Sequence, residues 1–328
     1  MYRREQVNLA WQRIGRVEVF GQLLALLGVV LLFTIGTGGR YLMWRNIQST
    51  LTLAAVPMVL ALGVHQVILL GSIDLSIQGI MALAAVVAGY LISNVATPYD
   101  LGLWVIPIVA VLGAFAGFLN GVVNTKIRIP GFVATFGMWY VTLGIAVFVS
   151  RGSTVKLLDT RFQNFVNGTP LGIPNILIVA LLLAGAVYIV QRHTKFGTHL
   201  YAVGGDEVLA RRAGVRVERV KTIVFTMAGC LYAIAALLLV SRLNNANPRV
   251  GQQLLFPAIT AAVVGGNALT GGIGGAMQAV LGAFIISALN SGMILMSVAP
   301  EMQSGVNGFV LVLAVAATLD RKKIGIIK

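Results

Sequence analysis

Apolar runs separated by short polar or basic connections recur along almost the whole chain. They are Val19 to Gly36, Leu51 to Leu70, Leu75 to Ser93, Leu103 to Val123, Phe132 to Ser150, Ile173 to Val190, Val220 to Val240, Leu254 to Leu269, Ala276 to Leu289 and Gln303 to Leu319. A hydrocarbon core about 30 Å thick is crossed by about 20 residues of helix. Lipid admits only helices or closed barrels, because every backbone polar group must find a partner inside the protein. The runs lack the short alternating segments of barrel strands. The pattern therefore predicts an all-α polytopic membrane protein with about ten transmembrane helices in a single domain, residues 1–328. The eighth and ninth runs are short and joined by the glycine-rich Thr270 to Gly275, which predicts a paired hairpin and leaves its crossing, complete or incomplete, open.

Composition agrees: 58% of the 328 residues are hydrophobic and 10% charged, against about a quarter charged in soluble domains. The formal charge of +14 raises nucleic acid as a partner. The basic residues lie in the connections and not on one amphipathic face, so membrane topology explains them and no nucleic acid is expected. With the N-terminus placed in the cytoplasm, seventeen of the 24 basic residues fall inside and both termini are cytoplasmic. The segment before Glu18 carries Arg3, Arg4, Arg13 and Arg16, and the run after it is long enough to span, so an anchor is expected there and not a cleaved signal. Trp44 and Trp104 lie near the expected interfaces. The single cysteine, Cys230, allows neither a disulfide framework nor a cysteine metal site, and its ordinary role is a buried small residue. His193 and His199 have no carboxylate spaced to complete a metal site.

Candidate chemistry is sparse. Asp74, in Leu70 to Met81 (LGSIDLSIQGIM), is the lone acid between Leu51 and Ser93, and intramembrane acids are costly enough to be functional by default. Followed by Leu75 and Ser76, it fits an N-cap of the third helix; direct contact with a polar solute or ion is the alternative. His65 and Gln66 inside the second run fit an interhelical bond or a bond to a hydroxylated solute. Asn120, Asn124, Asn267 and Asn290 are further amides at membrane depth. Gly113, Gly117 and Gly121 form a small-residue stripe for close helix contact. The glycines from Gly265 to Gly275 form a flexible turn. Phosphate-loop and hydrolase signatures are missing, so a membrane enzyme is the weaker class.

The longest connection on the expected cytoplasmic side runs from Gln191 to Arg219. Its Asp206 to Ala213 stretch predicts a short helix with Asp206 or Gly205 as N-cap and Gly214 as its stop. A polar loop of that size on a chain otherwise confined to lipid reads as a docking element, with a basic loop held by lipid head groups as the alternative.

Several ordered motifs resemble one family. They are Gly71-Ser72-Ile73-Asp74-Leu75-Ser76, Gly117-Phe118-Leu119-Asn120-Gly121, Ile129-Pro130-Gly131 through Gly137, Tyr201-Ala202-Val203-Gly204-Gly205-Asp206 to Ala213-Gly214-Val215, Asn247-Pro248-Arg249-Val250-Gly251, and Val264-Gly265-Gly266 to Gly271-Gly272. Together they are similar to the membrane permease subunit of a ribose-type, binding-protein-dependent ABC sugar importer, with the fold of a type II ABC importer permease. That resemblance implies a bacterial inner-membrane location and a second permease subunit, the same or different. It also implies an ATPase subunit that uses ATP and Mg, a periplasmic sugar-binding protein that delivers a pentose, hexose or related polyol, and no cofactor on this chain. It places ATPase coupling at Gly204, Gly205, Asp206, Glu207, Ala210, Arg211, Ala213 and Gly214, within a cytoplasmic coupling loop of residues 191–219. It leaves Asp74, Ser76, His65, Gln66, Asn120 and Asn267 as residues of the translocation path or of helix capping. The chain departs from the family at Ser72, Gln78, the His65-Gln66 pair and Gln252-Gln253, where an acid is common. A branched-chain amino-acid permease is the alternative. A gradient-driven carrier is the other, and the lack of a counterpart to Asp74 in the second half counts against it.

Overall fold

The computed structural model describes the backbone of residues 2–318 and the side chains of residues 19–316 apart from residue 171. The basic tail, the side chains of Arg3, Arg4, Arg13 and Arg16, and Leu319 lie outside the described residues. In chain order the elements are α1 (Tyr2–Gly36), α2 (Trp44–Leu69), α3 (Ile77–Leu91), α4 (Val105–Lys126), α5 (Gly131–Ser150), β1 (Val155–Lys156), α6 (Thr160–Asn167), α7 (Asn175–His193), α8 (Lys195–Gly205), α9 (Glu207–Arg212), α10 (Val217–Leu243), β2 (Asn245–Ala246), α11 (Leu255–Val264), α12 (Ala276–Leu295) and α13 (Pro300–Thr318).

Among the described residues, seven helices are long and apolar enough to cross a membrane: α1, α2, α4, α5, α7, α10 and α12. Every expected run is helical over most of its length, but the run lengths need correction. The third yields a 15-residue helix, about 22 Å at 1.5 Å per residue, and the eighth a 10-residue helix, about 15 Å. The ninth run, expected to be short, is the 20-residue α12. Hydropathy misjudged these because apolar composition reports burial in protein as readily as exposure to lipid. Only α11 is the incomplete arm of the hairpin.

The core sits around α2 and α10. From Ala54 to Leu69 every residue but Pro57 is buried, while α1 presents Leu24, Leu27, Leu31 and Leu32 outward. The glycine stripe of α4 packs directly on α10: a methyl group added at Gly113, Gly117 or Gly121 would strike the backbone of Gly229, Phe225 or Thr222. Backbones in such contact gain dispersion energy that larger side chains would forfeit. Cys230, on α10, is half-buried and free.

One end of the bundle carries α8 and α9 together with Lys126, Arg128 and the basic residues from Arg192 to Lys221. The other carries Arg40, Arg45, Arg151, Lys156, Arg161 and the exposed Trp44 and Trp104. At this second end β1 and β2 pair antiparallel, Val155 opposite Ala246 and Lys156 opposite Asn245. There also lies α6, an amphipathic helix that the hydropathy pattern did not reveal. Its Phe162 and Val166 are buried, and the Asp159 carboxylate caps it by accepting from Arg161 N at 2.7 Å. Burial pushes the Asp159 carboxyl up, but the side-chain and backbone hydrogen bonds of Arg161 outweigh that and hold it below its usual range.

Candidate functional site

The buried polar residues gather in three places. In the first, α2 ends at Leu69 and the chain turns through Gly71, at φ 71°, into the loop before α3. The N-cap position of α3 belongs to Ser76 and not to Asp74. Asp74 closes a turn just ahead of the helix, its Oδ1 accepting from Ser76 N at 2.8 Å and from Ser76 Oγ at 2.6 Å. Asn120 on α4 donates to the same Ser76 Oγ at 2.9 Å. Asp74, Ser76 and Asn120 therefore form one buried chain linking the loop to α4. Tyr232 of α10 lies beside this carboxylate. Its hydroxyl faces that carboxylate, and Asn120 Oδ1 is buried without a hydrogen-bond partner among the described residues. Thr135 of α5 completes the setting by accepting from Leu75 N at 3.1 Å.

The second place is an interhelical network around His65. Its Nδ1 lies 3.1 Å from the Ala61 carbonyl, so that nitrogen carries the proton and Nε2 accepts. Gln191 of α7 fills the acceptor from 2.7 Å, and its Oε1 receives the N–H of Ala276, the first residue of α12, at 3.1 Å. Three helices are thus joined by two side chains. Gln66 does not join them: its amide donates to Leu62 O at 3.0 Å within its own helix. Asn267 is apart as well, holding the glycine turn through Ala262 O at 2.7 Å and Gly275 N at 2.8 Å.

The third place is the α8–α9 end. The segment expected to be a loop is almost wholly helical, with Thr194 capping α8 through Gly197 N at 3.3 Å. Gly205 is the last residue of α8, and Asp206 caps α9 by accepting from Leu209 N at 2.9 Å. Ala210 is buried, Ala213 N bonds Leu209 O at 2.9 Å, and Gly214, at φ 84°, ends the helix. Glu207 pairs with Lys221 at 2.6 Å, and Arg211 with Glu218 at 2.5 Å, tying α9 to the start of α10 beside a cleft of about 360 Å³. On the far side of α9, Val208 and Leu209 are 59% and 60% exposed, an apolar pair suited to contact with another protein and overlooked in the sequence.

Gly204 sits where three backbones meet. Any side chain there would collide with the Leu69 carbonyl oxygen, and that oxygen accepts from Gly272 N at 2.9 Å. A carbon added at Gly271 would fall 2.7 Å from Gly204 O, and one added at Gly272 would fall 2.9 Å from Gly205 Cα. Tyr201 of α8 donates to Gly274 O at 2.8 Å. The end of α8, the end of α2 and the glycine turn before α12 are therefore packed backbone on backbone. Glycine clusters were visible in the sequence, but their meeting was not.

A family model described as branched-chain amino acid transport system / permease component matches residues 46–315. The chain belongs to this family of ABC importer permeases. The permease is 36% identical over 330 residues to the ribose import permease of Bacillus subtilis, which covers 97% of this chain and 98% of that one. It is 34% identical over 289 residues to the ribose import permease of Escherichia coli K12, covering 85% of this chain and 86% of the relative. It is 31% identical over 384 residues to a xylose transport system permease of Haemophilus influenzae, at 98% and 100% coverage. No solved structure matches the permease. It is a multi-pass membrane protein, and its role is that of a transport subunit.

Proposed function

We propose that the permease carries a monosaccharide across the bacterial inner membrane into the cytoplasm, using energy supplied by a separate ATPase that binds ATP and Mg. The observation that carries this reading is the end-to-end similarity to permeases named for two pentoses, ribose and xylose. A second permease subunit completes the path, a periplasmic binding protein delivers the sugar, and the α8–α9 end, with both termini, faces the cytoplasm. The ATPase docks on α9, where Val208 and Leu209 stand free and Asp206 fixes the helix start. Displacement of α8 then passes through Gly204 to the loop holding Asp74.

The amino-acid reading is favoured only by the wording of the family description. Both are tested by purifying the tagged permease from its native membrane in mild detergent, identifying its companions, and reconstituting them in proteoliposomes. ATP-dependent uptake of labelled ribose or xylose, unaffected by excess leucine, is the expected result. Leucine uptake would overturn the sugar assignment, and uptake that survives without ATP in an ion gradient would overturn the ABC mechanism.

A further inference from the structure

Two glutamine positions far apart in the chain touch each other. Gln78, on the first turn of α3, donates its side-chain amide to the backbone carbonyl of Gln252. Higher on the same face of α3, Gly89 abuts Ala246 of the β1–β2 sheet, and Gly251 is packed on Met81. The stretch between Ala246 and Gln252 therefore descends alongside α3. Gln78 and Gly89 are eleven residues apart, about 16 Å along a helix axis, or roughly half of a hydrocarbon core about 30 Å thick. Gln252 consequently lies near mid-membrane.

The chain at this depth is not helical. From Asn247 to Leu254 it runs in turns, whose backbone groups are satisfied locally: Val250 N to Asn247 O at 3.2 Å, Gln252 N to Arg249 O at 3.1 Å and Leu254 N to Gly251 O at 2.9 Å. Irregular backbone is tolerated at membrane depth only where protein buries it or where it lines a water-filled cavity. The side chains decide between these. Gln252 and Gln253 are both exposed, and neither side-chain amide bonds another group among the described residues. A primary amide facing hydrocarbon without a partner is strongly disfavoured, because its lost water bonds are not replaced.

Resting on the proposed sugar transport, we propose that Gln252 and Gln253 line the aqueous path at the middle of the membrane and bond the hydroxyls of an uncharged polyhydroxylated solute. Gln78 is a positioning residue that holds the segment against α3. An amide both donates and accepts, which matches a sugar hydroxyl and gives no attraction to a carboxylate or ammonium ion.

The test replaces Cys230 with alanine and introduces Gln252→Cys, Gln253→Cys or, as a lipid-facing control, Leu182→Cys, in the permease reconstituted with its companion subunits. Leu182 is 70% exposed at the middle of α7. A charged, membrane-impermeant thiol reagent should label the two path positions at least about tenfold faster than the control, the loss of thiolate that one unit of pKa rise in an apolar setting brings. Labelling at Gln253→Cys should block sugar uptake, and Gln78→Leu should slow uptake without altering sugar binding by the isolated binding protein. Labelling no faster than at Leu182→Cys would overturn the proposal. So would spontaneous cross-linking of the two path cysteines between permease copies without labelling, which would make the segment a subunit interface. Fast labelling with uptake unaffected would remove the contact with solute. If the wild-type complex takes up no sugar with ATP, the functional reading falls, while the labelling ratio still decides whether the segment faces water.

Discussion

The junction at Gly204 and the segment at Gln252 are two places where non-helical chain meets a helix end, and they are built in opposite ways. At Gly204 three backbones touch, and a carbon added at Gly204, Gly271 or Gly272 collides. At Gln252 the chain is held by one amide of α3 and leaves two others free. A contact that must pass on displacement is served by groups with no torsions to absorb it. A surface that must receive and release a polar solute is served by flexible side chains with both donor and acceptor atoms.

Gly204→Leu should have the largest effect. Overpacking at a well-filled site costs about 1–3 kcal/mol and more where backbone resists, so folded permease should fall sharply in detergent size-exclusion profiles. Gly185→Leu on α7, where an added carbon meets nothing within 4 Å, should leave the profile unchanged; equal behaviour of the two would dissolve the contrast. Next comes His65→Phe, which strands the Gln191 amide in a buried setting at a cost of about 1–3 kcal/mol and should lower the thermal midpoint. Gln191→Leu in the same background should not recover that loss, because it also removes the acceptor of the Ala276 N–H.

Asp206→Ala removes the cap of α9, worth about 1 kcal/mol. It should cut uptake severalfold while membrane insertion stays intact, and unchanged uptake would separate α9 from coupling. The smallest effect is expected at the sheet end. The Asp159 carboxyl lies below its usual range when folded, so its contribution is present above the unfolded value, about 4, and is lost as pH falls through the folded value. Asp159→Ala should therefore destabilise by about 1 kcal/mol at neutral pH. That difference should vanish in strong acid, and a penalty independent of pH would assign the effect to packing.

Helix positions were legible because apolar runs of about 20 residues have few other uses in a chain this poor in charge. Crossing depth was not, since α11 and α3 are as apolar as their longer neighbours and are covered by protein. The short helix after Asp206 carried its own cap and stop, so it could be read locally. Its neighbour α8 opens on Thr194, with no apolar run to advertise it. Residues that act through distant partners were hidden for a further reason: Gln191 is one polar residue at a span end, and its partner His65 lies 126 positions away. Gln78 and Gln252 were each visible as amides beside apolar runs, but nothing in one sequence indicates that they meet.

The glycine stripe of α4 carries a consequence for how the permease can move. With Gly113, Gly117 and Gly121 seated on the α10 backbone, the two helices meet backbone on backbone along that stripe, and the Thr125 and Thr222 hydroxyls touch at its end. They form one thick strut, and changing the angle between them would open a gap along its whole length. Any relative movement within the bundle is therefore borne elsewhere, by members joined through side chains, with α4 and α10 as the fixed post against which they turn.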